Sequence, residues 1–429
     1  MDAAFPAAAF LAALVGTRRS LGLGFVAVFA VGYVNGVIRA NYLGVFSTFM
    51  FDAGLFGLYL GYATAPGAAR AWRGVAGGYA LFLIGWPALL SLVPMNDLLI
   101  QLVALRATVW FLPVMLIARR LTSADLAVIA RGLGVLNLVA LAGGVYVYLN
   151  GVEALYPENA VTQIIYMSND VAGYQYHRIP SFFLSAHAYG GAMVFTLPFL
   201  LDRAFGAGVR AADRGVAAVG IGAAAAGVLM CAARQPIVTF GLAGLVAWAC
   251  TRFHWAFGLV AAGLVVAAAG TAVSDERLQR AATLEDADAV GERIKGSANE
   301  SLLDLIADYP GGAGMGSASG TSIPFFLSDR APPAIGLENE YCRILVDQGW
   351  VGVGGWVAFL GWLFARPPAA RLDARWGLGV VLMYALCLTN WATAFIGTGT
   401  LSAIPGSVLL LTQMGVLLRI RDAAEEVPA

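Results

Sequence analysis

Runs of about twenty apolar residues recur from one end of this chain to the other, and a bilayer span needs about that many. They lie near residues 20–38, 45–65, 74–93, 98–118, 124–149, 181–202, 214–232, 235–251, 254–273, 338–365, 374–394 and 400–418, about twelve spans in all. Hydrophobic residues make up 59% of the 429 and charged residues 12%. Soluble domains carry about 25% charged residues. Half that charge cannot coat a soluble fold of this size, whereas a bilayer removes the need. The chain therefore reads as an all-α polytopic integral membrane protein, a single transmembrane domain over residues 1–429. Its formal net charge is zero, so no global field draws it to nucleic acid.

The opening run, Ala3 to Val15, is short for a span and fits either an interfacial segment or a short extra helix. Arg18 and Arg19 follow that run, which is not the order of a standard signal peptide. No internal repeat is visible, and Ala-Gly-rich stretches such as Gly220 to Gly227 fit close helix packing in lipid. Cys231, Cys250, Cys342 and Cys387 lie in or beside apolar runs without metal-type spacing and read as small packing residues.

Loop arginines orient the spans. Alternate loops carry Arg18 and Arg19, Arg70 and Arg73, Arg119 and Arg120, then Arg203, Arg210 and Arg214, Arg252, Arg366, Arg371 and Arg375, and finally Arg419 and Arg421. By the positive-inside rule that side faces the cytoplasm. Two hydrophilic segments, 150–180 and 274–337, then face outward, and the second is long enough for a folded lid or a site-forming loop.

Arginines on the outward side break this pattern. Arg178 precedes a span, Arg234 sits at a span junction, Arg293 lies in the long loop, and Arg343 occupies the first turns of the next span. Ionisable groups at membrane depth are costly and mark sites or pairs. The rigid guanidinium fork suits phosphate oxygens. Together these residues suggest a polyanionic ligand such as a lipid pyrophosphate. Each also has a bland reading. Arg178 can snorkel to headgroups, Arg234 can cap the preceding helix, and Arg293 can be a solvated loop charge. Arg343 can pair along its own helix with Glu340 or Asp347. Mid-span Arg106 is expected to pair with Asp52 in a purely structural role, away from the outer loops.

Gly336 to Gly352 joins the long loop to an apolar helix, with Glu338 expected at its N-terminus. There it is either a capping acid stabilised by the helix dipole or a carboxylate base within reach of an incoming hydroxyl. The dipole would lower its pKa and weaken it as a base unless burial offsets this.

Four segments together resemble the O-antigen ligase and polymerase superfamily. They are Arg178-Ile179-Pro180-Ser181-Phe182-Phe183 followed by His187-Ala188-Tyr189-Gly190, then Ala233-Arg234-Gln235-Pro236. The third runs from Arg293 through Asp308-Tyr309-Pro310-Gly311-Gly312-Ala313-Gly314-Met315-Gly316. The fourth is Glu338-Asn339 with Gly349 and Gly352. The pattern covers about residues 175–355, each motif is short, and the specificity lies in their order. Two positions depart from it: Glu338-Asn339 stands where the ligases have His-Asn, and Ala233 where serine is usual. The first departure favours polysaccharide polymerase over ligase.

The resemblance implies a GT-C-like fold in the bacterial inner membrane with its site facing the periplasm. It implies transfer of a glycan from undecaprenyl pyrophosphate to a sugar hydroxyl, without a metal or other cofactor. Arg178, Arg234 and Arg293 would neutralise the leaving pyrophosphate, with Arg343 beside them. Glu338 would take the hydroxyl proton, and Asn339, Tyr341 or His187 would orient the sugar. Expected partners are the lipid-linked oligosaccharide, the bilayer, and flippase and chain-length regulator proteins. Asp286-Ala287-Asp288 has a metal-type spacing and reads as a solvated acidic run. An O-antigen ligase acting on lipid A core or protein, and a lipid-glycan flippase or transporter, remain as alternatives. Residues 299–308 are expected to form a short helix stopped by Pro310 and the glycines.

Overall fold

The computed structural model describes residues 2–66, 68–167, 177–250, 302–318, 323–332, 337, 339–365 and 377–425. Every regular element among them is helical. In chain order these are α1 (Ala4–Arg19), α2 (Leu21–Asn41), the single turn α3 (Val45–Thr48), α4 (Met50–Ala63), α5 (Gly74–Leu90), α6 (Leu98–Val109) and α7 (Pro113–Ala118). Then come α8 (Ser123–Asn150), the single turn α9 (Gln163–Tyr166), α10 (Ala186–Phe205), α11 (Ala211–Met230) and α12 (Arg234–Cys250). α13 (Leu302–Asp308), α14 (Glu340–Phe364), α15 (Gly377–Thr393) and α16 (Gly406–Glu425) complete the set. The segment Leu98–Ala118, together with α2, α8, α11 and α14, is long and apolar enough to cross a membrane, and α5 and α15 are shorter apolar helices. The chain is thus an all-helical protein of multi-pass membrane type.

Helix starts follow local side chains. Ser20 caps α2 by accepting the Leu23 N–H, and Asp97 caps α6 by accepting that of Leu99. Thr122 and Asp125 form a reciprocal capping box on α8. The second oxygen of Asp125 accepts the Gly22 N–H at 2.9 Å, which ties the start of α2 to the start of α8.

The exterior is apolar as well as the core, unlike that of a soluble protein. Val135, Leu138, Val139 and Val145 of α8, Leu81 of α5, Leu245 of α12 and Val357 of α14 point outward. Asn137, on the same helix as that outward valine stripe, is fully buried. Its side-chain oxygen accepts from the Tyr33 hydroxyl at 2.7 Å, and its amide donates to Thr196 Oγ1 at 2.8 Å, so α2, α8 and α10 share one satisfied polar knot. An apolar exterior of this extent marks a lipid-facing surface.

α1 settles the position of the opening run. Phe5 packs on Tyr42 at 4.7 Å and the Asp2 carboxylate accepts the Ser47 N–H, whereas Gly16 abuts the Leu23 backbone. The helix therefore runs antiparallel to α2 over its whole length, about 24 Å. Gly57 and Gly61 of α4 admit α1 from the other side: an added Cβ would meet Phe10 O at 2.3 Å and Thr17 Cβ at 2.8 Å. Ala9 faces Gly54 and Thr17 faces Gly61, so α1 and α4 are parallel.

Several arginine-bearing turns meet at one end of the bundle. Arg119 donates to the Arg73 carbonyl at 3.0 Å, Arg203 to that of Ser123 at 3.3 Å, Arg419 to that of Leu121 and Arg421 to that of Trp362. The expected spans map onto helices with shifted bounds. Residues 45–65 become α3 plus the 14-residue α4, and 98–118 breaks at 110–112 before Pro113. Residues 181–202 become helical only from Ala186. The expected span at 254–273 and most of the long loop lie outside the described residues.

Candidate functional site

The end opposite those arginine turns carries the candidate site. Residues 177–185 enter it as a non-helical strip wedged between α2 and α8. The Val37 N–H donates to the Phe182 carbonyl at 3.1 Å and Ser181 Oγ donates to the Ala140 carbonyl at 2.5 Å. Two glycines make the room. A Cβ on Gly36 would lie 2.4 Å from the Phe183 carbonyl carbon, and one on Gly143 would lie 2.6 Å from the Phe182 ring. Ser181 holds a left-handed conformation, φ 54°, to make the turn. The buried Tyr156 hydroxyl lies 2.8 Å from both the Ser181 and Phe183 carbonyl oxygens and shares its one proton between them. Burial pushes its ionisation well above the usual tyrosine range, so it stays a donor. The strip delivers Arg178, only 8% exposed, with Nη1 3.4 Å from Nε2 of His187 in the first turn of α10.

From there the cluster extends through Cys231, the C-cap of α11. Its sulfur lies where a Cβ on Gly190 would sit, 2.5 Å away, and it feels the Arg178 charge. Ala232, at φ 49°, turns the chain so that α12 opens on Arg234. The next residue, Gln235, reaches Thr393 Oγ1 at 3.5 Å, in the last turn of α15.

The 393–402 segment receives the start of α14. The Glu340 N–H points at the Ala394 and Gly397 carbonyls, at 2.9 and 3.2 Å. Asn339 is the N-cap, its Oδ1 accepting the N–H groups of Tyr341 and Cys342. Glu340 is fully buried; Oε2 accepts the Gly399 N–H at 2.7 Å and Oε1 lies 3.1 Å from Nη2 of Arg343. Arg343 also donates to Ser402 Oγ at 3.0 Å. The intrahelical pairing open to Arg343 in the sequence thus forms with Glu340. A buried pair of this kind fixes geometry more surely than it adds stability. Tyr341 stacks on Phe395 at 4.3 Å and donates to the Trp391 carbonyl, which anchors α14 to α15.

The glycine run is the other half of the site. α14 breaks at Gly349 (φ 66°, ψ −171°). The backbone groups freed there are taken by the run: Ala313 N–H donates to the Val346 carbonyl at 2.7 Å, and Trp350 N–H to that of Pro310 at 3.2 Å. Gly312, Gly314 and Gly316 all have φ between 85° and 95°. Oδ1 of the buried Asp347 accepts the Gly316 and Ala318 N–H groups at 3.1 and 3.0 Å. Asn96 ties the run to the start of α6 through the Met315 carbonyl and Ser317. The short helix expected at 299–308 is seen from Leu302 to Asp308, and its Leu305 packs with Cys342, Leu345 and Val346.

Arg106 and Asp52 pair as expected, in bidentate fashion. Their expected distance from the outer segments is corrected. Phe49, three residues before Asp52, packs on Phe326 of the long segment at 6.5 Å, and Arg330 lies 3.7 Å from Asp97.

The structure therefore gathers Arg178, His187, Arg234, Asn339, Tyr341 and Arg343 at one end. Glu338, Arg293, Asp286 and Asp288 lie outside the described residues. Among the described residues no three His, Cys, Asp or Glu side chains gather as a metal site requires. Sequence reasoning missed Glu340 and Asp347 as organisers and Arg39 as a basic residue of this end. For Arg39 a signal existed: an arginine one helical turn after Asn35 in an apolar span.

Fold and site define a multi-pass, all-helical membrane protein with an arginine-rich, glycine-laced end. No known protein family matches the chain, and no curated protein matches it.

Proposed function

We propose that the chain is a membrane glycosyltransferase of the bacterial inner membrane, a polysaccharide polymerase that joins glycans carried on undecaprenyl pyrophosphate. The supporting observation is the convergence of Arg178, His187, Arg234 and the Glu340–Arg343 pair at the end opposite the arginine turns. About twelve spans, with that end facing the periplasm, follow from the apolar runs and the positive-inside rule. In this reading 150–180 and 274–337 are the periplasmic segments of one transmembrane domain.

The oxygen of an acceptor sugar hydroxyl attacks the anomeric carbon of the donor. The carbon–oxygen bond to the pyrophosphate breaks, the lipid pyrophosphate leaves with the electron pair, and Glu338 takes the hydroxyl proton. Arg178, Arg234 and Arg293 stabilise charge that grows on the leaving group, where fixed donors act most strongly. His187 and Asn339 flank the acceptor, and a single displacement inverts the anomeric centre.

The test is elongation of a lipid-pyrophosphate-linked repeat by purified protein in liposomes, wild type beside Glu338→Gln. A ladder of longer lipid-linked glycans from wild type alone is the expected result. Transfer only when lipid A core or a protein acceptor is supplied would make the chain a ligase. No transfer to any acceptor from folded protein would overturn the enzyme reading in favour of a transporter.

A further inference from the structure

Arg39 lies in the last turn of α2, and Asn35 lies one turn earlier. Gly32 precedes both on the same face, since positions 32, 35 and 39 stack along a helix. That face looks onto the start of α4 and the segment before α16: a Cβ on Gly32 would meet Pro405 Cβ at 2.6 Å and Phe51 Cε2 at 2.9 Å. The same segment supplies Gly399 to Glu340 and Ser402 to Arg343. Gly32 on this face and Arg343 thus border one stretch of chain, residues 399–405, and Arg39 stands two turns beyond Gly32.

The charges here do not balance. Asp52 beside Phe51 uses both carboxylate oxygens on Arg106, one of them accepting Nε–H at 2.7 Å. Arg39 is near enough to feel both charges, yet its buried Nε has no hydrogen-bond partner, and no ion pair reaches it among the described residues. A buried guanidinium nitrogen without a partner is unfavourable, and ionisable groups at membrane depth mark binding sites. With Asp52 already neutralised by Arg106, the local field is that of one surplus guanidinium, and it attracts an oxyanion.

We propose that Arg39, beside the Asp52–Arg106 pair, forms a second oxyanion subsite, which holds the phosphate group of a second lipid at the same end of the bundle as the first. This rests on the glycosyltransferase reading for the identity of that lipid: a lipid-linked acceptor whose pyrophosphate docks here while the donor docks at Arg178 and Arg234. A polymerase that joins two lipid-linked glycans needs two such subsites. The oxyanion chemistry alone would also suit a phospholipid headgroup.

The experiment is native mass spectrometry of the full-length protein in an uncharged detergent, titrated with undecaprenyl pyrophosphate or with phosphatidylglycerol. Wild type is expected to bind two equivalents of undecaprenyl pyrophosphate. Arg39→Gln weakens one of them at least about tenfold, as loss of a charge-assisted contact does, and Arg234→Gln weakens the other. Arg39→Lys, which keeps the charge and loses the fork, falls between. Loss in Arg39→Gln of phosphatidylglycerol binding alone keeps the subsite and overturns its assignment to a second substrate. Unchanged binding of both probes in Arg39→Gln overturns the subsite. Protection of Cys231, Cys342 and Cys387 from a thiol reagent reports folding, and the intermediate binding expected of Arg39→Lys is the measurement if Arg39→Gln fails that check. Arg39-dependent binding without any glycan transfer would overturn the enzyme reading and leave the subsite standing.

Discussion

The break in α14 predicts opposite outcomes for two glycines five residues apart. Gly349 sits at φ 66°, ψ −171°, a region essentially restricted to glycine, and an alanine Cβ there would lie 2.6 Å from both the carbonyl carbon and oxygen of Gly311. Backbone strain of this kind costs about 1–3 kcal/mol. The clash adds to it, because Gly311 is held by its neighbours: Pro310 accepts from Trp350 and Ala313 donates to Val346. Gly349→Ala is therefore expected to cost about 2–5 kcal/mol. Gly354 lies in the regular part of α14 with nothing within 4 Å of an added Cβ. Gly354→Ala is expected to be neutral, or to stabilise by about 0.5–1 kcal/mol through lost backbone entropy.

Cysteine protection in detergent provides the assay. Cys231, Cys342 and Cys387 are buried and Cys250 is exposed, so unfolding adds three reactive thiols to one. Such proteins unfold irreversibly, and the measured quantity is a half-life at fixed temperature. Gly349→Ala should shorten it by about tenfold or more, since each 1.4 kcal/mol that reaches the unfolding barrier is a factor of ten. A Gly349→Ala half-life equal to wild type, or a Gly354→Ala half-life below that of Gly349→Ala, would refute the stitching of α14 by the glycine run.

Asp347→Ala leaves the Gly316 and Ala318 N–H groups without their acceptor and should cost about 2–5 kcal/mol in the same assay, whereas Asp347→Asn keeps one oxygen and should recover most of it. Tyr156→Phe removes the hydroxyl shared by two buried carbonyls, and a loss of about 1–3 kcal/mol is expected. Wild-type stability in that variant would mean that the strip at 177–185 is held by its wedge between the helices alone. Arg234→Ala should lower the glycan transfer rate by about 10²-fold with the cysteines still protected, as removal of one donor from a charge-stabilising set does; undiminished transfer would remove Arg234 from the site.

Much of the fold was legible because hydropathy reports directly on lipid. The cores of α2, α8, α11 and α14 follow their apolar runs to within a few residues. Hydropathy does not separate an apolar helix from an apolar strip, and there the reading slipped. Ile179 to Leu184 is as apolar as a helix start, yet Pro180 and the space above Gly36 and Gly143 keep it non-helical until Ser185 caps α10. Likewise Pro113 divides the run at 98–118, and the Ser47 hydroxyl donates to the Tyr42 and Gly44 carbonyls and so gathers residues 42–47 into a turn before α4.

The site was legible where its contacts are local and opaque where they are not. Glu340 and Arg343 stand three residues apart on a helix, so their pairing follows from spacing. Asp347, one turn beyond Arg343, offered an equally plausible partner by the same rule. Its carboxylate instead faces Gly316 and Ala318, about thirty residues back in the chain. Alternate glycines at 312, 314 and 316 announce a tight backbone path, but they do not say which helix it crosses. The complementary feature is Gly349, whose missing side chain lets Gly311 approach and whose break exposes the Val346 carbonyl to Ala313. A defect in one helix and a run of unusual backbone elsewhere are thus two halves of one joint. By fixing residues 339–348 independently of the rest of α14, that joint lets the loop carrying the glycines set where Asn339, Glu340 and Arg343 stand.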